Sequence, residues 1–129
     1  MVWPSRKSGK NLNILVLDDN HQWRYILKFI LELELGITPA LASSGKNALE
    51  VLEALPIDVV ISDLSMPEMD GFQFLKRVRT RFPDTRVIII SGDFDDKFPA
   101  PQELVENGAF AVIPKIEISA KLVNVLRTL

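Results

Sequence analysis

The chain has no cysteine at all and only one histidine. A disulfide framework and a thiolate metal site are both excluded, and the composition fits a reducing, cytoplasmic setting. No apolar run approaches the ~18 residues needed to span a bilayer. The first residues, MVWPSRKSGKN, are basic but lack an apolar segment, so they do not read as a secretory signal. A net charge of −2 lacks the positive excess that nonspecific nucleic-acid binding requires. No membrane or direct nucleic-acid partner is expected. Internal repeats and low-complexity segments are also missing.

What is present suits one domain of ordinary size. The 129 residues are 47% hydrophobic and 25% charged, enough to bury a core without staples. Residues 1–11 carry no periodicity and are expected to form a flexible N-terminal tail, with the folded domain over 12–129. LNILVL (12–17) reads as a strand. HQWRYILKFILELEL (21–35) is helical: Trp23, Ile26, Leu27, Ile30 and Leu31 keep helical spacing, and Gly36 stops the helix. A weak strand (38–42), demoted by Pro39, precedes a helix (44–55). IDVVIS (57–62) is a strand and GFQFLKRVRTRF (71–82) a helix. RVIIIS (86–91) is the clearest strand. A short helix (101–109) closes at Gly108, FAVI (110–113) is a fifth strand, and a last helix (119–129) starts from Ser119 as N-cap. The pattern alternates strand and helix five times. Three strands are continuous apolar runs, as expected of a parallel sheet covered on both faces. The last helix runs to Leu129, so no output domain is expected within this stretch.

The polar residues fall at strand ends. In open α/β sheets, ligands sit outside the carboxyl ends of the strands. Strand one is followed by Asp18 and Asp19, strand three by Asp63, strand four by Ser91 and strand five by Lys115. Each alone admits a plainer reading. Asp18, Asp19 or Asn20 could cap the next helix, Asp63 could be a turn acid, and Ser91 and Lys115 could be loop residues. Together, three carboxylates in one pocket repel unless a cation joins them. Lys115 leaves about two negative charges uncompensated, and hard oxygen ligands favour Mg²⁺ over Zn²⁺. A metal held this way leaves positions for phosphate oxygens. An aspartate can then act as nucleophile and form an aspartyl-phosphate, with lysine and serine stabilising the phosphoryl charge. Asp63 is the residue placed to attack phosphorus.

At this point the sequence resembles the receiver domain of two-component response regulators. LVLDDN, DLSMPEMDG, IIISG and IPK look like that family's acid pair, phosphoacceptor segment, hydroxyl site and lysine site, and Asp63 follows Asp19 by 44 positions, as in the family. The resemblance covers about 12–129. It implies a flavodoxin-like doubly wound (βα)5 sandwich with a parallel five-stranded sheet in order 2-1-3-4-5. It implies a non-enzymatic phosphorelay module whose Asp63 takes phosphate from a sensor histidine kinase or histidine phosphotransfer protein. It also implies that Asp19, Asp63 and the Ser65 backbone carbonyl bind Mg²⁺, with Asp18 acting largely through water. The downstream protein target is not legible.

The chain departs from the family pattern in three places. Ile116 rather than proline follows Lys115, and the Lys115–Ile116 bond is expected to be trans. Val112 stands where the family has an aromatic switch residue paired with Ser91. DFDDKFPAPQ, after strand four, is long and acidic, and its two prolines should shorten the helix that follows. These departures keep a second reading open: a receiver fold used as an interaction module without phosphorylation-driven switching. A dehalogenase-like phosphatase would need a second aspartate where Ser65 stands. A flavin-nucleotide protein would need a glycine- and hydroxyl-rich loop where DDNHQW stands. Neither fits. Two features of helix one remain. His21 is read as a solvated or capping histidine. Tyr25, Phe29 and Leu33 form a second apolar stripe, which is either a wider core or a docking face for the phosphodonor.

Overall fold

A computed structural model describes residues 12–92 and 97–129. The expected tail (1–11) and the acids Asp93, Asp95 and Asp96 lie outside the described residues. The elements are β1 (Ile14–Leu17), α1 (His21–Leu35), β2 (Ala40–Ala42), α2 (Gly45–Ala54), β3 (Val59–Asp63), α3 (Gly71–Arg81), β4 (Arg86–Ser91), α4 (Pro101–Glu106), β5 (Ala111–Pro114) and α5 (Ile118–Leu126). The strands form one parallel sheet in the order β2-β1-β3-β4-β5. This is the flavodoxin-like arrangement. The strand order reverses at β1 and β3, so the ends of those two strands flank the crevice where ligands bind in such sheets.

Strand alternation sorts the core into two layers. Ile14, Val16, Val59, Ile61, Ile88, Ile90 and Ile113 face one side, against Leu27, Leu31 and Leu35 of α1 and Ile118, Leu122 and Leu126 of α5. Leu15, Leu17, Val60, Val87 and Ile89 face the other side, against α2, Phe74, Leu75 and Val78 of α3, and Leu104 of α4. Each fully buried aliphatic or phenyl side chain contributes about 1.5–3 kcal/mol. The two layers therefore clamp the sheet between them.

Helix ends follow local chemistry. Asn20 caps α1 by accepting the Trp23 N–H at 3.0 Å, and Gly36 ends it in the left-handed conformation at φ +66°. Ser44 caps α2, and Asp70 and Gln73 form a reciprocal capping box on α3. Helix α4 has only six residues and starts on Pro101, the shortening expected from the prolines. Gly108 follows it with φ +109°.

Two expectations need correction. Ser119 does not cap α5. It is exposed and sits inside the helix, which is entered directly from a 3-10 turn over Lys115–Glu117. The turn makes the Ile118 N–H bond to the Lys115 carbonyl, so no side-chain cap is required. Ile26, expected in the core, is 42% exposed; the buried arc of α1 rotates toward Leu27, Leu31 and Leu35 instead. Among the described residues no peptide bond is cis, so Lys115–Ile116 is trans as expected.

Candidate functional site

Three strand ends converge. One carboxylate oxygen each from Asp18, Asp19 and Asp63 lies within 4.8 Å of the other two. The Lys115 Nζ reaches them from the end of β5, 3.0 Å from Asp18 Oδ2 and 3.4 Å from Asp63 Oδ1. Asp18 and Asp63 are buried and Asp19 is exposed, so the cluster opens to solvent on the Asp19 side.

The helix-cap reading of the acid pair fails on a particular contact. Asn20, not Asp18 or Asp19, caps α1. Asp70, not Asp63, caps α3. Asp18 is fixed by other means: its Oδ1 accepts the Asn20 N–H at 2.9 Å, and its carbonyl accepts from Arg24 Nη1 at 2.7 Å. The Asp63 Oδ1 accepts the Leu64 N–H at 3.0 Å. Asp18 Oδ2 is buried and accepts no hydrogen bond of ordinary geometry; its neighbour is the Lys115 ammonium, met as an ion pair. A buried carboxylate oxygen with open coordination, beside two further carboxylates, is a donor set that fits a hard divalent cation. Ser65 is exposed and lies two residues beyond Asp63, in the loop that follows β3.

Burial pushes the Asp63 carboxyl up from 3.8 to about 6; the Asp18 charge adds to the rise and Lys115 opposes it. Apolar surroundings and a like charge both disfavour the carboxylate. In the metal-free cluster Lys115 offsets only part of the combined effect of burial and the Asp18 charge on Asp63.

Ser91 is buried at the end of β4, paired in register with Pro114, so it belongs to the same edge. Val112 is half-buried and packs with Phe98 against the core layer of α2, α3 and α4. Tyr25, Phe29 and Leu33 are 61%, 63% and 66% exposed. Together with Ile26 they make an apolar strip on the outside of α1, and the wider-core reading of the stripe fails. His21 is exposed and packs edge-on against Tyr25 with ring centroids 5.2 Å apart.

Two structural roles were not anticipated. Gly71 seats the start of α3 against the end of β3: a Cβ there would lie 2.4 Å from the Asp63 carbonyl oxygen. Trp23, read only as a core residue, places its ring 4.6 Å from the Lys115 ammonium. The available signal was position, since Trp23 follows the acid pair within one helical turn. Glu68, in the loop that follows β3, has φ +69°, a conformation that favours glycine or asparagine.

Comparison with known proteins agrees with this geometry. A model of the response regulator receiver domain family matches residues 14–127. The chain belongs to that family, whose members are modules of two-component signalling. It is 37% identical over 91 residues to the uncharacterized transcriptional regulatory protein YhcZ of Bacillus subtilis, covering 70% of this chain and 42% of that protein. It is 40% identical over 82 residues to the sensor kinase CckA of Brucella abortus, covering 62% of this chain and 8% of the kinase. The chain thus spans less than half the length of either relative. A response regulator receiver domain protein from Clostridium thermocellum superposes with a TM-score of 0.76 at 30% identity, covering 91% of this chain and 95% of that one.

Proposed function

We propose that residues 12–129 form a phosphoacceptor domain in which Asp63 receives a phosphoryl group from a phosphohistidine. The donor is a sensor histidine kinase or histidine phosphotransfer protein. One observation carries the reading: three carboxylates gather around Lys115 although neither neighbouring helix needs them as caps.

In this reading Asp18, Asp19, Asp63 and the Ser65 carbonyl hold Mg²⁺. When bound, the metal supplies charge neutralisation that lets a phosphate approach the acids. The Leu64 N–H and Lys115 hold Asp63 Oδ1, leaving Oδ2 as the nucleophile. As Oδ2 bonds to phosphorus, the phosphorus–nitrogen bond breaks and the electron pair leaves with the imidazole of the donor. Lys115 and the Ser91 hydroxyl then hydrogen-bond the phosphoryl oxygens. The chain accepts and relays the group as a regulatory module of the cytoplasm and not as an enzyme. The exposed strip of Tyr25, Phe29 and Leu33 runs along α1, the helix that starts just after the acid pair, and is the surface offered to the donor. No helix among the described residues is long and apolar enough to cross a membrane.

Acetyl phosphate should raise the intact mass of the protein by one phosphate, only with Mg²⁺ present, and Asp63→Asn should abolish the gain. Labelling that persists in Asp63→Asn would remove Asp63 as the acceptor.

A second reading, an interaction module that does not switch, draws on Val112 and on Ile116, which is 94% exposed. Valine is stiff at χ1 and has no polar tip to exchange between core and water, so it does not make an aromatic's swing. The response to phosphate should instead concentrate in 92–101. Phe98 there shares a core layer with Val112, and the segment is rich in acids by sequence. On adding beryllofluoride with Mg²⁺, the largest amide chemical-shift changes outside the acid site are expected in 92–101. Large changes over 110–125 with a quiet 92–101 would restore an aromatic-type switch, and no change in either would favour the non-switching module.

A further inference from the structure

The Lys115 ammonium is held among the described residues by only three side chains: Asp18, Asp63 and Trp23. Two of these are the acids that a metal and a phosphoryl group would claim. The residue after the lysine gives no support, because Ile116 is 94% exposed. Gly92, on the neighbouring strand end, offers no side chain; a Cβ there would only reach ordinary contact with Lys115 Cδ at 3.8 Å.

Trp23 is itself firmly placed. Its backbone N–H donates to the Asn20 cap at 3.0 Å, and its half-buried ring packs against the core layer between α1 and α5. The face of an indole attracts a cation through its quadrupole, more strongly where water is excluded, and the Lys115 side chain is only 11% exposed. An uncharged partner has a further property here. It holds the ammonium without adding a carboxylate that would compete for metal or a cation that would compete for phosphate.

We propose that Trp23 is a positioning residue for Lys115. Its ring keeps the ammonium at the mouth of the acid cluster when Asp18 and Asp63 are taken by other ligands, so that the lysine meets a phosphoryl oxygen without being drawn back from water. The inference rests on the phosphoacceptor reading above and adds a residue to it.

The test uses the full chain carrying Trp3→Phe, so that Trp23 is the one remaining tryptophan. In the metal-free protein, Lys115→Met should displace the Trp23 emission; superimposable spectra would show that the ring does not sense the ammonium and would overturn the proposal. The second arm is the rate of labelling by acetyl phosphate, followed by intact mass. Trp23→Met, apolar but without a π face, should slow labelling roughly three- to thirtyfold. Trp23→Phe should recover most of the rate. In a Lys115→Met background, Trp23→Met should slow it no further. An equal loss with and without Lys115, or no rescue by phenylalanine, would assign Trp23 to packing alone and overturn the proposal. A wild-type chain that takes no phosphate at all would defeat the phosphoacceptor reading itself. The emission arm, which uses neither metal nor phosphate, would still decide whether Trp23 holds Lys115.

Discussion

The Asp63→Asn variant is expected to be more stable than the wild-type protein without divalent metal, by about 1–3 kcal/mol near pH 7.5. The same substitution that should end phosphorylation should therefore strengthen the fold. Asp63 is 6% exposed and shares its pocket with Asp18, and its carboxyl is raised from 3.8 to about 6, chiefly by burial. Above pH 6 both folded and unfolded chains carry the charge, but only the folded chain holds it away from water. The interval between 3.8 and about 6 corresponds to roughly 3 kcal/mol. Asparagine keeps the shape, can accept the Leu64 N–H, and removes that penalty. Lys115 keeps its 3.0 Å ion pair with Asp18, so the substitution does not strand a buried cation.

The sign of the pH dependence follows. A carboxyl with a raised folded pKa binds more protons in the folded state between the two values. Its penalty is absent below about 4, grows as pH rises through the window up to about 6, and is complete above it. Wild type and variant should therefore converge as pH falls from about 7.5 to 5 in metal-free buffer. Urea unfolding of both proteins at each pH measures this directly. With saturating Mg²⁺ the order should reverse, because the metal stabilises only the state that gathers its ligands. A variant equal to or weaker than wild type at neutral pH without metal would mean that Lys115 already offsets the buried charge.

The strand ends were legible because their chemistry conflicts with their setting. Acids that close continuous apolar runs have few structural excuses, and Asp18, Asp19, Asp63 and Lys115 could be grouped without coordinates. Strand order could not be read this way. Alternation of β and α shows that the strands are parallel but not which are neighbours, and only the resemblance supplied 2-1-3-4-5. The α1 stripe was ambiguous for a related reason. Helical spacing marks Trp23, Ile26, Leu27, Tyr25 and Phe29 alike as apolar, and the sheet decides which arc it covers. That decision left Ile26, Tyr25 and Phe29 outside. Ser119 misled because an N-cap preference is local, whereas the approach to α5 is set by the 3-10 turn after β5. Trp23 and Gly71 were invisible as site residues because each acts through a neighbour across the fold, Lys115 in one case and the Asp63 backbone in the other.

Gly71→Ala is expected to lower stability by roughly 2–4 kcal/mol and, in whatever protein folds, to weaken Mg²⁺ binding. The reason is space and not backbone conformation, and Gly36 shows the difference. Gly36 has φ +66° and open space around a Cβ, so alanine there meets only the left-handed penalty of about 1 kcal/mol. At Gly71 a Cβ would lie 2.4 Å from the Asp63 carbonyl oxygen and 2.7 Å from Leu64 Cα. Both are backbone atoms, with no rotamer by which to withdraw. The Gly71 N–H is also bonded to the Leu64 carbonyl at 2.7 Å, which draws the two segments together at the point where a methyl would force them apart. Ordinary contact at 3.4 Å or more requires a displacement of about an ångström. Helix α3 resists it through buried Phe74, Leu75 and Val78, and β3 resists it through its pairing with β1 and β4. Whichever side yields, the end of β3 is strained or moved, and Asp63 is its last residue. Misplacing a reacting group by about 1 Å can cost on the order of a hundredfold in rate, and a displaced Asp63 carboxylate also meets a metal in poorer geometry. Thermal unfolding should show the larger loss for Gly71→Ala than for Gly36→Ala, and Mg²⁺ titration should show a loss only for Gly71→Ala. Equal effects at the two glycines would mean that the β3–α3 junction relaxes freely and that Asp63 is not held by the close seat of that helix.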